Sequence, residues 1–151
     1  MMYTFRKMTS NDLELMVMFE KESRDLEPDV FSDFDEESYC EKFLEYPIDE
    51  ANNNDVVLCI ENDSIIGRID IISEYSYMDF GSVGYIDWVY VLKPFRNKGI
   101  AKELFLEAEK LFKENGVGEY YLFVASNEEA KYFYKSVNMD IKRVEKGYKK
   151  L

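Results

Sequence analysis

The chain has 151 residues, of which 46% are hydrophobic and 16% aromatic, enough to fill the core of one domain over residues 1–151 and too many for a disordered chain. Its formal charge of −12 argues against nucleic acid as a partner, because such binding rests on Lys and Arg neutralising phosphates. No apolar run approaches the roughly 20 residues that cross a bilayer, and Met1 to Met8 holds no apolar signal-peptide core, so a cytoplasmic protein with no membrane partner is expected.

Tyr3 to Met8 reads as a first strand, followed by a helix that Thr9 or Ser10 caps and that runs to about Ser23, with Leu13, Met16, Val17 and Glu20 at helical spacing. An acidic loop through Pro28 leads to a second helix, capped by Asp33 or Asp35, which turns Tyr39, Phe43 and Leu44 inward and ends before Pro47. After a polar loop, Asp49 to Asp55, the runs Val56 to Ile60 and Ile65 to Ile72 form an antiparallel hairpin around Glu61 to Ser64, with a bulge expected at Gly67. Ser73 to Ser82 is polar and aromatic and reads as the loop before a central strand, Val83 to Val91. Ile100, Leu104, Phe105, Ala108, Leu111 and Phe112 recur at the 3.6-residue period, which makes the next helix amphipathic, and Gly116 or Gly118 stops it. Tyr120 to Val124 reads as a strand. Ser126 and Glu129 form a capping-box pattern that opens a helix with Ala130, Phe133, Tyr134 and Val137 inward, and the tail Ile141 to Leu151 is expected to supply final short strands. The order βααβββαβα followed by strand, with no repeats or linkers, predicts an α/β (α+β) fold built on a single mixed, mostly antiparallel sheet flanked by helices.

The chain contains no histidine, so neither a Ser-His-Asp nor a Cys-His nucleophile can be assembled, and with two cysteines and no metal-ligand spacing no metal site is expected. Cys40 and Cys59 read as reduced thiols, Cys59 as core packing. The negative charge is concentrated, since residues 20–50 hold thirteen acids and three bases. Two readings stand: the acids favour a cationic substrate, or they are the solvated faces of two helices.

The stretch VYVLKPFRNKGIA, Val89 to Ala101, runs an apolar strand through a Pro turn and a basic, Gly-containing loop into a helix. The first amides of a helix have no intrahelical partner, so such a junction is built to hold an anion. Arg96 and Lys98 add charge, Gly99 removes a side chain where a ligand meets the backbone, and Ala101 lets the first turn come close. Neither GxGxxG nor GxxxxGK[ST] is present, which argues against a Rossmann site and a P-loop.

The pattern RxxGxA in Arg96, Asn97, Lys98, Gly99, Ile100 and Ala101, after a hydrophobic strand, resembles the acetyl-CoA loop of GNAT N-acetyltransferases. A second segment, SNEEAKYFYKSVNM from Ser126 to Met139, is similar to the family's later motif, in which an Asn opens a helix and a Tyr follows seven residues on, here Asn127 and Tyr134. The resemblance covers Val83 to Met139 and thins out in the N-terminal third. Where the family often has Gly-Phe after the Tyr helix, this chain has Asn138 and Met139, and Asn tolerates the left-handed turn that Gly would supply.

The resemblance implies an acetyl-CoA-dependent N-acetyltransferase in which a primary amine attacks the thioester directly in a ternary complex. An alkylamine of pKa about 10.4 must first lose a proton, at a cost of about 4–5 kcal/mol at neutral pH. Asp87 matches a carboxylate used as base in polyamine-type members. An ordinary carboxylate is a poor base, so that role demands burial or a relay; the other reading is a hydrogen bond within the sheet or to substrate. Tyr85 points to the same face. Tyr134 is implied as the acid that returns a proton to the departing thiolate, and Val89, Tyr90 and Val91 as the strand that pairs with the pantetheine arm, provided the neighbouring strand diverges, with an oxyanion held by an amide near Val89. Arg96, Asn97, Lys98, Gly99, Ile100, Ala101 and Lys102, together with Asn127, complete the expected acetyl-CoA contacts. The acceptor suggested by the acidic third is a cationic small-molecule amine such as a polyamine or aminoglycoside. Acetylation of a protein Lys or N-terminal amine and a non-catalytic acyl-CoA sensor are the alternatives. The aromatic run Tyr75 to Phe80 either lines the acceptor cleft or supports a homodimer.

Overall fold

A computed structural model describes residues 2–151. Five strands form one sheet in the order β1-β2-β3-β4-β5: β1 Thr4–Lys7, β2 Asn54–Glu61, β3 Ser64–Ser76, β4 Gly81–Val91 and β5 Val117–Tyr121. The first four pair antiparallel and β5 lies parallel to β4, as the mixed, mostly antiparallel reading required. The helices are α1 Leu13–Leu26, α2 Glu36–Glu45, α3 Ile100–Glu114 and α4 Glu128–Ser136. The chain divides into two compact units, one running to Tyr121 and the other Leu122–Leu151.

In the larger unit local chemistry sets the boundaries. Thr9 caps a short 3-10 turn, Ser10–Asp12, that feeds α1; its amide donates to Asp12 Oδ2 at 2.8 Å while its hydroxyl accepts from Asn11 N–H. α1 then continues one turn past Ser23. α2 is capped by Asp35, whose carboxylate accepts from the Ser38 amide; Tyr39 and Phe43 are half-buried, whereas Leu44 is exposed rather than inward. Asn62 and Asp63 both take positive φ, which gives the β2–β3 hairpin a two-residue turn whose twist matches its strands.

Two expectations about strand length need correction. Ser73 to Ser82 is not a loop: β3 and β4 stay paired out to Ser76 opposite Gly81, leaving a four-residue turn. Both faces of that tip are exposed, with Tyr75, Tyr77, Met78 and Phe80 in solvent, so no burial pattern marked it as strand and the ladder alone carries it. The strand expected over Tyr120 to Val124 runs instead from Val117, directly after the left-handed Gly116 that follows the end of α3, and stops at Tyr121. The bulge expected at Gly67 falls one residue earlier, since Cys59 pairs with Gly67 and Ile60 with Ile65, leaving Ile66 over.

α1 and α3 cover opposite faces of the sheet. Gly84 belongs to the α3 face, where a Cβ would come within 2.6 Å of the Phe112 ring and 2.8 Å of Tyr120, so only glycine lets helix and sheet approach this closely. Leu58, Ile69, Ile71, Leu104, Phe105 and Phe112 are almost fully buried. Cys59 is buried as well, which pushes its thiol up to about 12 and leaves it inert, the packing role expected of it. No described helix is long and apolar enough to cross a membrane.

In the smaller unit α4 is capped by Asn127, whose side chain accepts from the Ala130 amide at 2.7 Å, rather than by Ser126. Asn138 takes φ 64° and the amides of Met139 and Asn138 donate to the carbonyls of Tyr134 and Lys135, the paired bonds of a Schellman turn. Asparagine therefore does keep the turn. Residues 141–151 form no strands; they are polar or exposed and bury nothing that would reward pairing.

Candidate active site

The strand β4 carries two irregularities that decide what it can do. Asp70 pairs with Trp88 and Ile71 with Ile86, so Asp87 is the extra residue of a bulge, and the simple alternation expected of Ile86, Asp87 and Trp88 is broken there. The bulge puts Asp87 at the surface, so the burial that a base role demands is absent. Tyr85 stays beside it, its ring 4.9 Å from Tyr121 and its phenol raised by desolvation and by the Asp87 and Tyr121 charges. The second irregularity is on the other edge: β5 pairs with β4 only as far as Tyr121 opposite Tyr85, while β4 continues to Val91. The β4–β5 pairing therefore ends short of Val89 to Val91. The Leu92 amide donates to Ile66 O across to β3, so by strand alternation Val89 and Val91 turn their main-chain groups to the edge that β5 has left, and Tyr90 turns its groups to β3.

At the end of β4 a 3-10 turn, Lys93–Phe95, leads into the loop. Asn97 and Gly99 take φ of 61° and 81°, bracketing Lys98, and α3 starts with no side-chain cap. A left-handed Gly99 aims the following amides out of the helix end, and among the described residues the amides of Asn97 to Lys102 donate to no protein acceptor. Asn97, Lys98 and Gly99 are exposed, Ile100 is buried under the helix and Ala101 is half-buried.

The Arg96 side chain does something the sequence did not indicate. It turns inward: its Nε donates to Val91 O at 2.9 Å, its terminal nitrogen pairs with Glu27, and its guanidinium lies 5.2 Å from the Tyr90 ring centre. Glu27, at the end of α1, also accepts from the Tyr90 hydroxyl at 2.5 Å. These bonds hold the Glu27 carboxyl below its usual range, the Tyr90 hydroxyl foremost, while burial and the same carboxylate push the Tyr90 phenol up. Deeper on the α1 face, Arg68 grips Asp70 through two nitrogens at 2.8 and 2.5 Å and reaches Glu20 at 3.2 Å; Arg24 holds the other Glu20 oxygen at 2.6 Å. Trp88 covers Arg68, and Phe31 and Phe34 flank Arg24. Each of these carboxylates is neutralised by arginine, so part of the acidic third is structural.

In the smaller unit Tyr134 is half-buried on α4 with its ring 5.4 Å from Phe133, and burial raises its phenol. A phenol so placed is protonated at neutral pH, the state an acid needs.

A family model described as the Acetyltransferase (GNAT) family matches residues 16–139, spanning both the loop and the α4 segment. This chain belongs to that family. It is an acetyl-CoA-dependent N-acetyltransferase. Solved structures share its fold at low identity. An aminoglycoside acetyltransferase from an uncultured soil metagenomic sample, in complex with sisomicin, has a TM-score of 0.79 at 21% identity over 99% of this chain and 96% of that one. An aminoglycoside N-acetyltransferase in complex with CoA gives 0.78 at 18% over 99% and 95%, and a ribosomal-protein-alanine N-acetyltransferase from Brucella melitensis gives 0.74 at 14% over 99% and 99%. No curated protein matches the sequence at a significant level.

For this acetyltransferase the structure brings Asp87, Val89, Tyr90, Val91 and the loop Arg96 to Lys102 together along the end of β4 and the start of α3, while Asn127 and Tyr134 share α4 in the smaller unit. Sequence reasoning missed Glu27, because nothing in a run of thirteen acids distinguishes the one that meets Arg96. It also missed Arg68, for which a lone arginine inside an apolar strand is the signal that could have found it.

Proposed function

We propose that this enzyme transfers the acetyl group of acetyl-CoA to the primary amine of a cationic small molecule, a polyamine or aminoglycoside type of acceptor. The observation that carries the donor half is the combination of a β4 edge released by β5 with a run of unpartnered amides at the start of α3, two arrays of main-chain donors and acceptors that suit an amide-bearing arm ending in a diphosphate. The loop amides and Lys98 and Lys102 take the diphosphate; Val89 and the Val91 N–H pair with the arm, the Val91 carbonyl being held by Arg96; the amide near Val89 receives the oxyanion. Asn127 places α4 by capping it, and Tyr134 protonates the leaving thiolate. The exposed Asp87 works through water, taking the ammonium proton by a relay while its charge attracts the cation. The amine then attacks the thioester carbonyl, and the tetrahedral intermediate expels the thiolate.

Similarity of fold to aminoglycoside acetyltransferases and the surplus of acids in the N-terminal third support the acceptor class. The test is calorimetry with acetyl-CoA and CoA followed by thiol release over a panel of polyamines, aminoglycosides and amine-bearing peptides. Micromolar CoA binding with turnover on a cationic small amine is the expected result. Turnover on peptides alone would replace the acceptor, and CoA binding without turnover on any amine would make the chain a sensor.

A further inference from the structure

The donor loop is tied down by a residue that belongs to neither of its own elements. Glu27 stands at the C-terminal cap of α1, more than sixty residues before the loop, and its carboxylate Oε1 receives both the Tyr90 hydroxyl and the Arg96 guanidinium. Arg96 in turn spans back to the Val91 carbonyl, on the edge left by β5, and lies over the Tyr90 ring. Four contacts therefore lock the last turn of β4 to the first residue of the RxxGxA loop, and all four pass through Arg96 or Glu27.

We propose that Glu27 is a positioning residue of the donor site: it holds the Arg96 guanidinium on the Val91 carbonyl, and so fixes the curve of the loop with the amides of Asn97 to Lys102 facing outward before the coenzyme arrives. The physical reason lies in what a loop with two positive-φ residues does when untethered. Asn97 and Gly99 give it many accessible conformations, and every one that must be abandoned on binding weakens affinity. A charge-assisted bond from a helix end to the root of the loop removes that freedom in advance. It also means that Arg96 is engaged elsewhere, so the diphosphate meets main-chain amides and the Lys98 and Lys102 charges rather than the arginine the motif advertises.

This inference rests on the reading of the loop as the coenzyme site, and the experiment separates the two. CoA affinity and the steady-state constants for acetyl-CoA are measured for the wild type, Glu27→Gln, Arg96→Gln and the double variant, with thermal unfolding in parallel. Failure of the wild type to bind CoA overturns the donor reading itself. With wild-type binding in hand, Glu27→Gln is expected to weaken CoA binding and raise KM for acetyl-CoA by about tenfold while kcat stays within about twofold. Adding Glu27→Gln to Arg96→Gln should change affinity by less than about twofold, because the two act as one device. Unchanged CoA affinity in Glu27→Gln, tighter binding, a loss confined to kcat, or full additivity in the double variant would each overturn the proposal. If Glu27→Gln does not fold, Glu27→Asp, which keeps the charge but shortens its reach, takes its place with a rise of several-fold expected.

Discussion

The two sides of β4 put polar groups to opposite uses. On the α1 face the polar groups are side chains, buried or half-buried and matched: Arg68 with Asp70 and Glu20, Arg24 with Glu20, Arg96 with Glu27. On the side where β5 stops short and at the start of α3 they are main-chain groups that, among the described residues and apart from the Val91 carbonyl held by Arg96, have no protein partner. Buried polar groups that are satisfied hold a fold together, whereas backbone donors left open where the scaffold could have closed them are what a ligand can use. Substitutions on the first side should therefore be read in stability, and those on the second in coenzyme binding and rate.

The largest effect should come from Arg68→Ala. It strands half of the buried Glu20 and the half-buried Asp70, and such unpairing destabilises by about 3 kcal/mol; denaturant unfolding measures it, and a loss under about 1 kcal/mol would show that the cluster is not structural. Next is Tyr134→Phe, which should slow turnover by about 10²-fold or more while CoA affinity holds, because only the proton is lost; a rate within a few-fold of wild type would assign the acid elsewhere. Gly99→Ala is smaller. An added Cβ meets nothing within 4 Å, so the whole effect is the left-handed φ of 81°, about 1–2 kcal/mol. It should weaken CoA binding up to about tenfold by calorimetry and lower the melting temperature by a few degrees.

The smallest effect is with pH. Glu27 is held below the usual carboxylate range in the folded protein, so the stability it contributes is complete above that range and is lost as pH falls through the lowered value. Wild type should accordingly lose slightly more stability on acidification than Glu27→Gln, by less than about 1 kcal/mol for a partly exposed pair. Equal acid profiles for the two would mean that the pair contributes nothing to stability.

Much of the junction between β4 and α3 was legible because main-chain geometry leaves strong marks in sequence. Gly99 and Ala101 after a Pro turn specify an open helix end, and the period of Ile100, Leu104, Phe105 and Ala108 specifies the helix behind it. Asn138 stood in for a glycine at a left-handed turn, as its small polar side chain permits. The α1 face was not legible, since pairing Glu27 with Arg96 or Glu20 with Arg68 joins residues some fifty to seventy positions apart and depends on the register of strands whose bulges cannot be counted from composition. The bulge at Asp87 is the clearest case. One unpaired residue moves a carboxylate from an expected alternating position to the surface, and no periodicity reveals it.

Amide hydrogen exchange with and without CoA tests the central claim most directly, that main-chain donors at the start of α3 and on the freed edge of β4 hold the coenzyme. Exchange should slow in residues 97–102 and at Val89 and Val91 when CoA is bound. Calorimetric binding of CoA with exchange unchanged across those residues, and slowed elsewhere, would contradict it.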